Sequence, residues 1–315
     1  MVLKVYSADE VHAALDFVPL ADALATAFAR GAEVPLRHVH RLGGGDVLLL
    51  MPAWRTGVDA GGGALGVKLV SVMPGAASRG AETVAATYLL LDRSTGKPRA
   101  LLDGEALTLR RTAAASALAA RYLARADAAT LLIIGTGKLA PFMAKAHCAL
   151  LPALARVFVW GRSRERALVV VSQLGAEGLP VELASDLETA VRGADLISCA
   201  TTAQTPVLRG AWLAPGTHVD LVGGFTPAMR EADDEAIVRA RVVVDTYAGA
   251  LAEAGDLTVP LENGVITRDD VVAELGELVR GEKRGRAHDD EITLFKSVGT
   301  ALEDLAAAEL VVRGR

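Results

Sequence analysis

Apolar and polar positions change rhythm once along the chain, near residue 128. Before it, short apolar runs are broken by glycine- and aspartate-rich turns. Ser7, with Glu10 three residues on, predicts a capped helix from about Ala8, and Val11, Leu15 and Val18 carry its spacing onward. Gly43-Gly44-Gly45-Asp46 predicts a turn between two strands, the second being Val47 to Met51. A second glycine run, Gly61-Gly62-Gly63, precedes a strand over Leu65 to Val70. Val84 to Leu91 and Pro98 to Leu102 predict a hairpin about Asp92-Arg93-Ser94-Thr95-Gly96, followed by an alanine-rich helix from about Leu107 to Ala124.

From Ala128 the strands Thr130–Ile134, Val157–Trp160, Leu196–Ala200, His218–Val222 and Val242–Asp245 alternate with helical stretches. That alternation predicts βαβ units and a parallel sheet. The expected fold class is α/β, a Rossmann-type doubly wound parallel sheet over 114–293 plus an α+β domain over 1–113. The tail from about Leu294 is expected to be helical and to return to the first domain.

Composition narrows the function classes. With 33 basic against 38 acidic residues the formal net charge is -5, which excludes a polyanion as the main partner. No apolar run approaches the roughly 18–20 residues of a membrane span, and no signal segment is visible at the start. Two cysteines, Cys148 and Cys199, build neither a disulfide framework nor a zinc cluster, which fits a cytoplasmic chain. None of the six histidines pairs at metal-ligand spacing, so no metal is expected. Arg110 is expected to be solvated, and Asp245 is left without a role.

Chemistry first shows in Gly135-Thr136-Gly137-Lys138-Leu139-Ala140, a Gly-x-Gly-x-x-Ala loop between a strand and a helix. Its first glycine allows the tight turn, its second admits a pyrophosphate, and its small third residue lets helix and strand pack. Leu139 stands where a phosphate loop of the ATPase type would carry Ser or Thr. After the second strand comes Gly161-Arg162-Ser163-Arg164. A dinucleotide site selective for NAD would carry an acid there; basic residues suit a 2′-phosphate, so NADP(H) is preferred, with NAD(H) as the alternative.

In the first domain Lys68 interrupts the apolar strand Gly66-Val67-Lys68-Leu69-Val70, and two further cations, Arg37 and Arg111, stand in Pro35-Leu36-Arg37 and Arg111-Thr112-Ala113-Ala114. With Met51-Pro52-Ala53, Thr95-Gly96-Lys97-Pro98, Glu253-Ala254-Gly255-Asp256 and Phe295-Lys296-Ser297-Val298-Gly299, these stretches resemble the ornithine cyclodeaminase/mu-crystallin family over nearly the whole chain. The resemblance implies that Arg37, Lys68 and Arg111, with Thr83 nearby, bind a substrate carboxylate. It implies that Thr201, Val222 and Ser297 lie on the cofactor side, and that the first domain also forms a homodimer.

The chain departs from the cyclodeaminases at Phe225, where they carry an aspartate, and a phenyl ring takes no proton. Phe225-Thr226-Pro227-Ala228-Met229-Arg230-Glu231 instead resembles the cyclic-ketimine reductases. That branch implies NAD(P)H-dependent reduction of Δ1-pyrroline-2-carboxylate, or its six-membered homologue, to the cyclic amino acid, in hydroxyproline or proline breakdown. Lys68, or a water it orients, is the expected proton donor, with Arg111 beside it. An amino-acid dehydrogenase, a cyclodeaminase of the same family and a non-catalytic ligand-binding relative remain the alternatives.

Overall fold

The computed structural model describes residues 3–55 and 63–314 of the 315. Gly61 and Gly62 of the second glycine run lie outside the described residues. The chain divides into two compact units, residues 1–112 with 300–315, and residues 113–299.

The first unit begins with β1 (Lys4–Tyr6), α1 (Ala8–Ala14), α2 (Phe17–Arg30), β2 (His38–Gly43), β3 (Asp46–Trp54), β4 (Ala64–Val72), β5 (Val84–Asp92) and β6 (Pro98–Asp103). α3 (Gly104–Leu123) leads out of it. The strands form one sheet in the order β1-β6-β5-β4-β3-β2, antiparallel except where β1 joins β6. The single N-terminal helix expected through Leu15 and Val18 is two helices bent by 80°. Ser7 closes its capping box with Glu10 as expected. The break follows at Asp16, whose extended backbone starts α2, and Pro19 sits in that helix's first turn, where its missing N–H costs nothing. Arg110 is not solvated either. It donates to the Leu15 carbonyl and to His12 Nδ1 and lies over the Phe17 ring, tying α3 to both helices.

The second unit runs β7 (Thr130–Ile134), α4 (Ala140–Leu150), β8 (Arg156–Trp160), α5 (Arg164–Ala176), β9 (Val181–Leu183), α6 (Leu187–Arg192), β10 (Leu196–Cys199) and β11 (His218–Leu221). It continues with α7 (Asp234–Val238), β12 (Arg241–Val244), α8 (Tyr247–Glu253), α9 (Gly255–Glu262), β13 (Val271–Glu274), α10 (Leu275–Val279) and β14 (Thr293–Lys296). Its eight strands are all parallel, in the order β13-β12-β14-β11-β10-β7-β8-β9. The direction of winding reverses between β7 and β10, the place where ligands of such sheets bind. The tail is corrected here. Thr293–Lys296 is a fully buried strand between β11 and β12, and the helix that returns to the first unit, α11 (Ala301–Arg313), starts only after Thr300 caps it.

One face of this sheet is a wholly buried apolar layer that includes Ile134, Ile197, Val219 and Leu294. The other carries a buried polar row. Ser198 donates to Asp220 at 2.8 Å, His147 lies 3.5 Å from the same oxygen, and His218 Nδ1 is 3.0 Å from Thr293 Oγ1. Thr293 gives its one proton to the Leu123 carbonyl, so His218 must donate from Nδ1, as a neutral imidazole. Burial pushes that imidazole down to about 3. Because the folded value lies below the ordinary 6.5, His218 contributes stability that is complete above pH 6.5 and is lost as the pH falls. The expected loss from this residue is about 1.4 kcal/mol per pH unit below 6.5. Urea unfolding of His218→Asn, which keeps a donor at the Nδ1 place, should therefore show a shallower acid limb than the wild type; equal slopes would contradict it.

Candidate active site

Strand β4 alternates, so Ala64, Gly66 and Lys68 point to the face of the first sheet that α11 crosses, and Leu69 to the open one. Lys68 is 3% exposed, and its partners come from elements remote in sequence. Its Nζ lies 2.7 Å from Asp304 Oδ2 on α11 and 3.4 Å from Thr108 Oγ1 on α3. The other Asp304 oxygen accepts from Arg111 Nε at 2.9 Å, and Glu303 accepts from Arg111 Nη1 at 2.6 Å. One carboxylate thus bridges two buried cations. Arg55 closes the row by pairing with Glu309, one further turn along α11.

Burial, then the charge of Arg111, lowers Lys68 to about 8, while Asp304 pulls it back up and the nearby Arg37 lowers it again. Burial alone would raise Asp304; Arg111 and then Lys68 outweigh it and hold the acid below the usual carboxylate range. Tyr88, the register partner of Lys68 on β5, is fully buried, and burial followed by Asp304 and Glu309 raises its phenol.

The structure therefore brings Lys68 and Arg111 together and sets half-buried Arg37 within electrostatic reach. Thr83 does not join them. It is exposed ahead of β5, five residues from Tyr88, or roughly 16 Å along the strand. Sequence reasoning missed Glu303, Asp304, Glu309 and Arg55. The available signal was three acids in the otherwise apolar Leu302–Val312 helix.

In the second unit Gly135, Thr136, Gly137, Lys138, Leu139 and Ala140 follow β7; Gly161, Arg162, Ser163 and Arg164 follow β8. Thr201 follows β10, Val222 follows β11 and Ser297 follows β14, so all of these lie at the carboxyl edge of one sheet. Gly135 has φ 134°, and a Cβ there would overlap the Ala200 carbonyl. Gly137 is different: it is exposed, with nothing within 4 Å of where a Cβ would stand, and α4 begins without a side-chain cap. This open glycine beside uncapped helical N–H groups fits a dinucleotide pyrophosphate. Arg162 and Arg164 are exposed, whereas Ser163 uses its oxygen to cap α5 by accepting from the Arg166 N–H.

A second buried charge cluster underlies that edge. Glu231 accepts from Thr201 N at 2.7 Å, Thr201 Oγ1 at 3.0 Å, Gly223 N at 2.7 Å and Gly224 N at 3.2 Å. Asp256 accepts from the Glu231 and Ala232 N–H groups, and Lys296 Nζ stands 2.9 Å from Asp256 and 3.9 Å from Glu231. Asp245, without a role in the sequence, holds the β14 exit by accepting from Val298 N and Gly299 N. Phe225, 43% exposed, stands in this loop, and the neighbouring acids Glu231 and Asp256 are committed to backbone N–H groups and Lys296.

A sequence model of the "Ornithine cyclodeaminase/mu-crystallin family" matches residues 1–314. A Delta(1)-pyrroline-2-carboxylate reductase of Paracoccus denitrificans is 42% identical over 250 residues, 79% of this chain and 78% of its own. Among solved structures, Thermococcus litoralis Delta(1)-pyrroline-2-carboxylate reductase, in complex with NADH and L-proline, superposes with a TM-score of 0.92. It is 33% identical and covers 99% of this chain and 97% of its own. An archaeal alanine dehydrogenase dimer with bound NAD gives 0.91 at 30% identity, covering 99% and 96%.

Removing Lys296 would leave two buried carboxylates facing each other without a cation. Lys296→Met is expected to cost about 3–5 kcal/mol of stability, and exposed Arg164→Ala less than about 0.5 kcal/mol. Urea unfolding of both variants checks this, and a Lys296→Met midpoint equal to the wild type would contradict the cluster's role.

Proposed function

Because the chain belongs to the ornithine cyclodeaminase/mu-crystallin family, we propose that it reduces the C=N bond of Δ1-pyrroline-2-carboxylate to give L-proline, within hydroxyproline or proline breakdown. The six-membered homologue is the second substrate of the same class. The observation that carries this reading is the donor arrangement around Asp304, joined to relatives of that activity over most of the chain. Arg111 spends Nε and Nη1 on Asp304 and Glu303 and keeps Nη2; Lys68 spends two of its three N–H donors and keeps one. Both retained donors belong to cations joined by one carboxylate, so a substrate carboxylate can accept from the two together.

Charge explains how a protonated imine tolerates this pair. Asp304 and Glu303 neutralise Lys68 and Arg111, so the clamp offers directed donors without a net positive charge to repel an iminium. The imine nitrogen takes its proton first, and the hydride that a bound reduced nicotinamide would supply then adds to the imine carbon, the C=N electron pair leaving the nitrogen a neutral amine. Lys68 Nζ, lowered to about 8, is protonated at neutral pH and gives this proton, directly or through a water it orients, from the N–H that rests at 3.4 Å on Thr108, while its third N–H stays on the substrate carboxylate. Phe225 and the committed Glu231 and Asp256 leave this loop without a free carboxylate, which favours imine reduction over ornithine cyclisation.

The cofactor rests on Gly135 to Ala140, with Gly161 to Arg164, Thr201, Val222 and Ser297 along the same edge. Exposed Arg162 and Arg164 favour NADPH over NADH. We read the chain as a homodimer formed through the first sheet, whose open side exposes Leu69. A cytoplasmic location fits the two free cysteines.

Purified protein with Δ1-pyrroline-2-carboxylate should oxidise NADPH faster than NADH, and Arg162→Ala with Arg164→Ala should remove the difference. Lys68→Ala should raise KM about 10- to 150-fold, the worth of one charge-assisted hydrogen bond. Gly137→Val should keep the melting temperature and lose cofactor binding. No cofactor oxidation with the imino acid, alongside release of ammonia from ornithine and NAD⁺, would overturn the reading. A sedimentation mass near the 32.7 kDa of one chain would overturn the dimer.

A further inference from the structure

We propose that Asp304 is the positioning residue of the carboxylate clamp: its two oxygens set Lys68 and Arg111 side by side, so that the donor each retains is presented to one ligand carboxylate. This rests on the reductase reading above. Without touching substrate, Asp304 acts through both cations. Its Oδ1 accepts from Arg111 Nε at 2.9 Å and its Oδ2 meets Lys68 Nζ at 2.7 Å, so the spacing of the cations is fixed by a single rigid group.

The other partners cannot substitute for it. Glu303 meets Arg111 at 2.6 Å, through a nitrogen other than the one Asp304 holds. Thr108, at 3.4 Å, is the remaining partner of Lys68, and its own proton is committed to the Gly104 carbonyl. Without Asp304, Lys68 would hold one long hydrogen bond to a neutral oxygen while still facing Arg111. Asp304 itself is fully buried in the first turn of α11 and has no water to exchange its partners with.

Asp304 has a second effect, on charge. The ionisable groups facing Lys68 are Arg37, Arg55, Arg111, Tyr88, Glu303, Asp304 and Glu309, from five different stretches of chain. Of these, Asp304 is the acid in contact with Nζ, and it opposes the lowering by burial and by Arg111. Losing its charge moves the Lys68 titration further down, so that the clamp loses one of its two cations at a lower pH.

The test is Asp304→Asn, which keeps the volume and removes the charge. KM for Δ1-pyrroline-2-carboxylate should rise about 10- to 100-fold with kcat within a few-fold. The rise of KM with pH, expected near 8 in the wild type, should begin at a lower pH. Taking the ratio of variant to wild type at each pH cancels the substrate's own ionisation. Glu303→Gln, which changes an acid that meets Arg111 and leaves the Lys68–Asp304 pair intact, should raise KM less and leave the pH limb in place. Urea unfolding followed by circular dichroism, compared with the wild type, reports whether the fold survives. If Asp304→Asn does not fold, a crystal structure of the wild type with L-proline decides: Lys68 Nζ and Arg111 Nη2 on the ligand carboxylate, with Asp304 still between them, would support the proposal. Asp304 displaced, or a ligand carboxylate touching neither cation, would overturn it. An active wild type whose Asp304→Asn variant keeps both KM and pH limb defeats the positioning role alone, whereas an inactive wild type defeats the reductase reading beneath it.

Discussion

Three cations, Lys68, Arg111 and Lys296, lie out of water, and each is held there by an acid from a distant stretch of the chain. An unpaired buried charge costs several kcal/mol, so the pairing dictates where the elements can go. For Arg111 the partner is 193 residues away, on a helix that follows the whole second unit in the sequence. The sheet of the first unit, the placement of α11 and the direction in which two donors point all follow from satisfying those charges. Lys296 does the same for the second unit. By setting one positive charge beside Glu231 and Asp256 it lets one carboxylate hold the exits of β10 and β11 together through backbone N–H groups.

Much of this was readable where the information is local. The strand Thr130–Ile134 and the glycine loop after it are read from a few adjacent residues, because turn chemistry and burial on both faces leave marks within that span. Lys68 stood out for the same reason: a lysine with apolar neighbours on both sides needs a partner. The break between α1 and α2 was missed because Leu15 keeps helical spacing with Val11 and is fully buried, so the pattern runs on although the backbone turns. Arg110 was misread because one arginine beside another gives no hint of the Phe17 ring and Leu15 carbonyl that receive it.

Long-range pairing left no such mark. Thr293–Lys296 merged with the helix after it because four buried residues ending in a lysine do not look like the centre of a parallel sheet; the hydrogen bonds that make it one come from β11 and β12. Glu303 and Asp304 looked like ordinary acids in the first turn of a helix, where the dipole favours them. What distinguishes them is that α11 is covered on nearly every side, a fact of packing with no counterpart in composition. Arg37, Lys68 and Arg111 were grouped through the family resemblance, and the acids that hold two of them came only from the coordinates.

The first unit is discontinuous, and that bears on how the protein is made. Residues 113–299 form one uninterrupted stretch and can close their sheet as soon as β14 leaves the ribosome. The first unit cannot. Its strands emerge first, yet Lys68 and Arg111 lack these counter-charges until α11 is synthesised. Nascent chains carry the open apolar strands of β2 to β5 and two bare cations through that whole interval, with the longest loop closure in the molecule still ahead. The order of translation therefore lets the second unit close before the acids that pair with Lys68 and Arg111 exist, so a chain cut before α11 would keep the parallel sheet with its glycine loop and leave both cations of the first unit without their counter-charges.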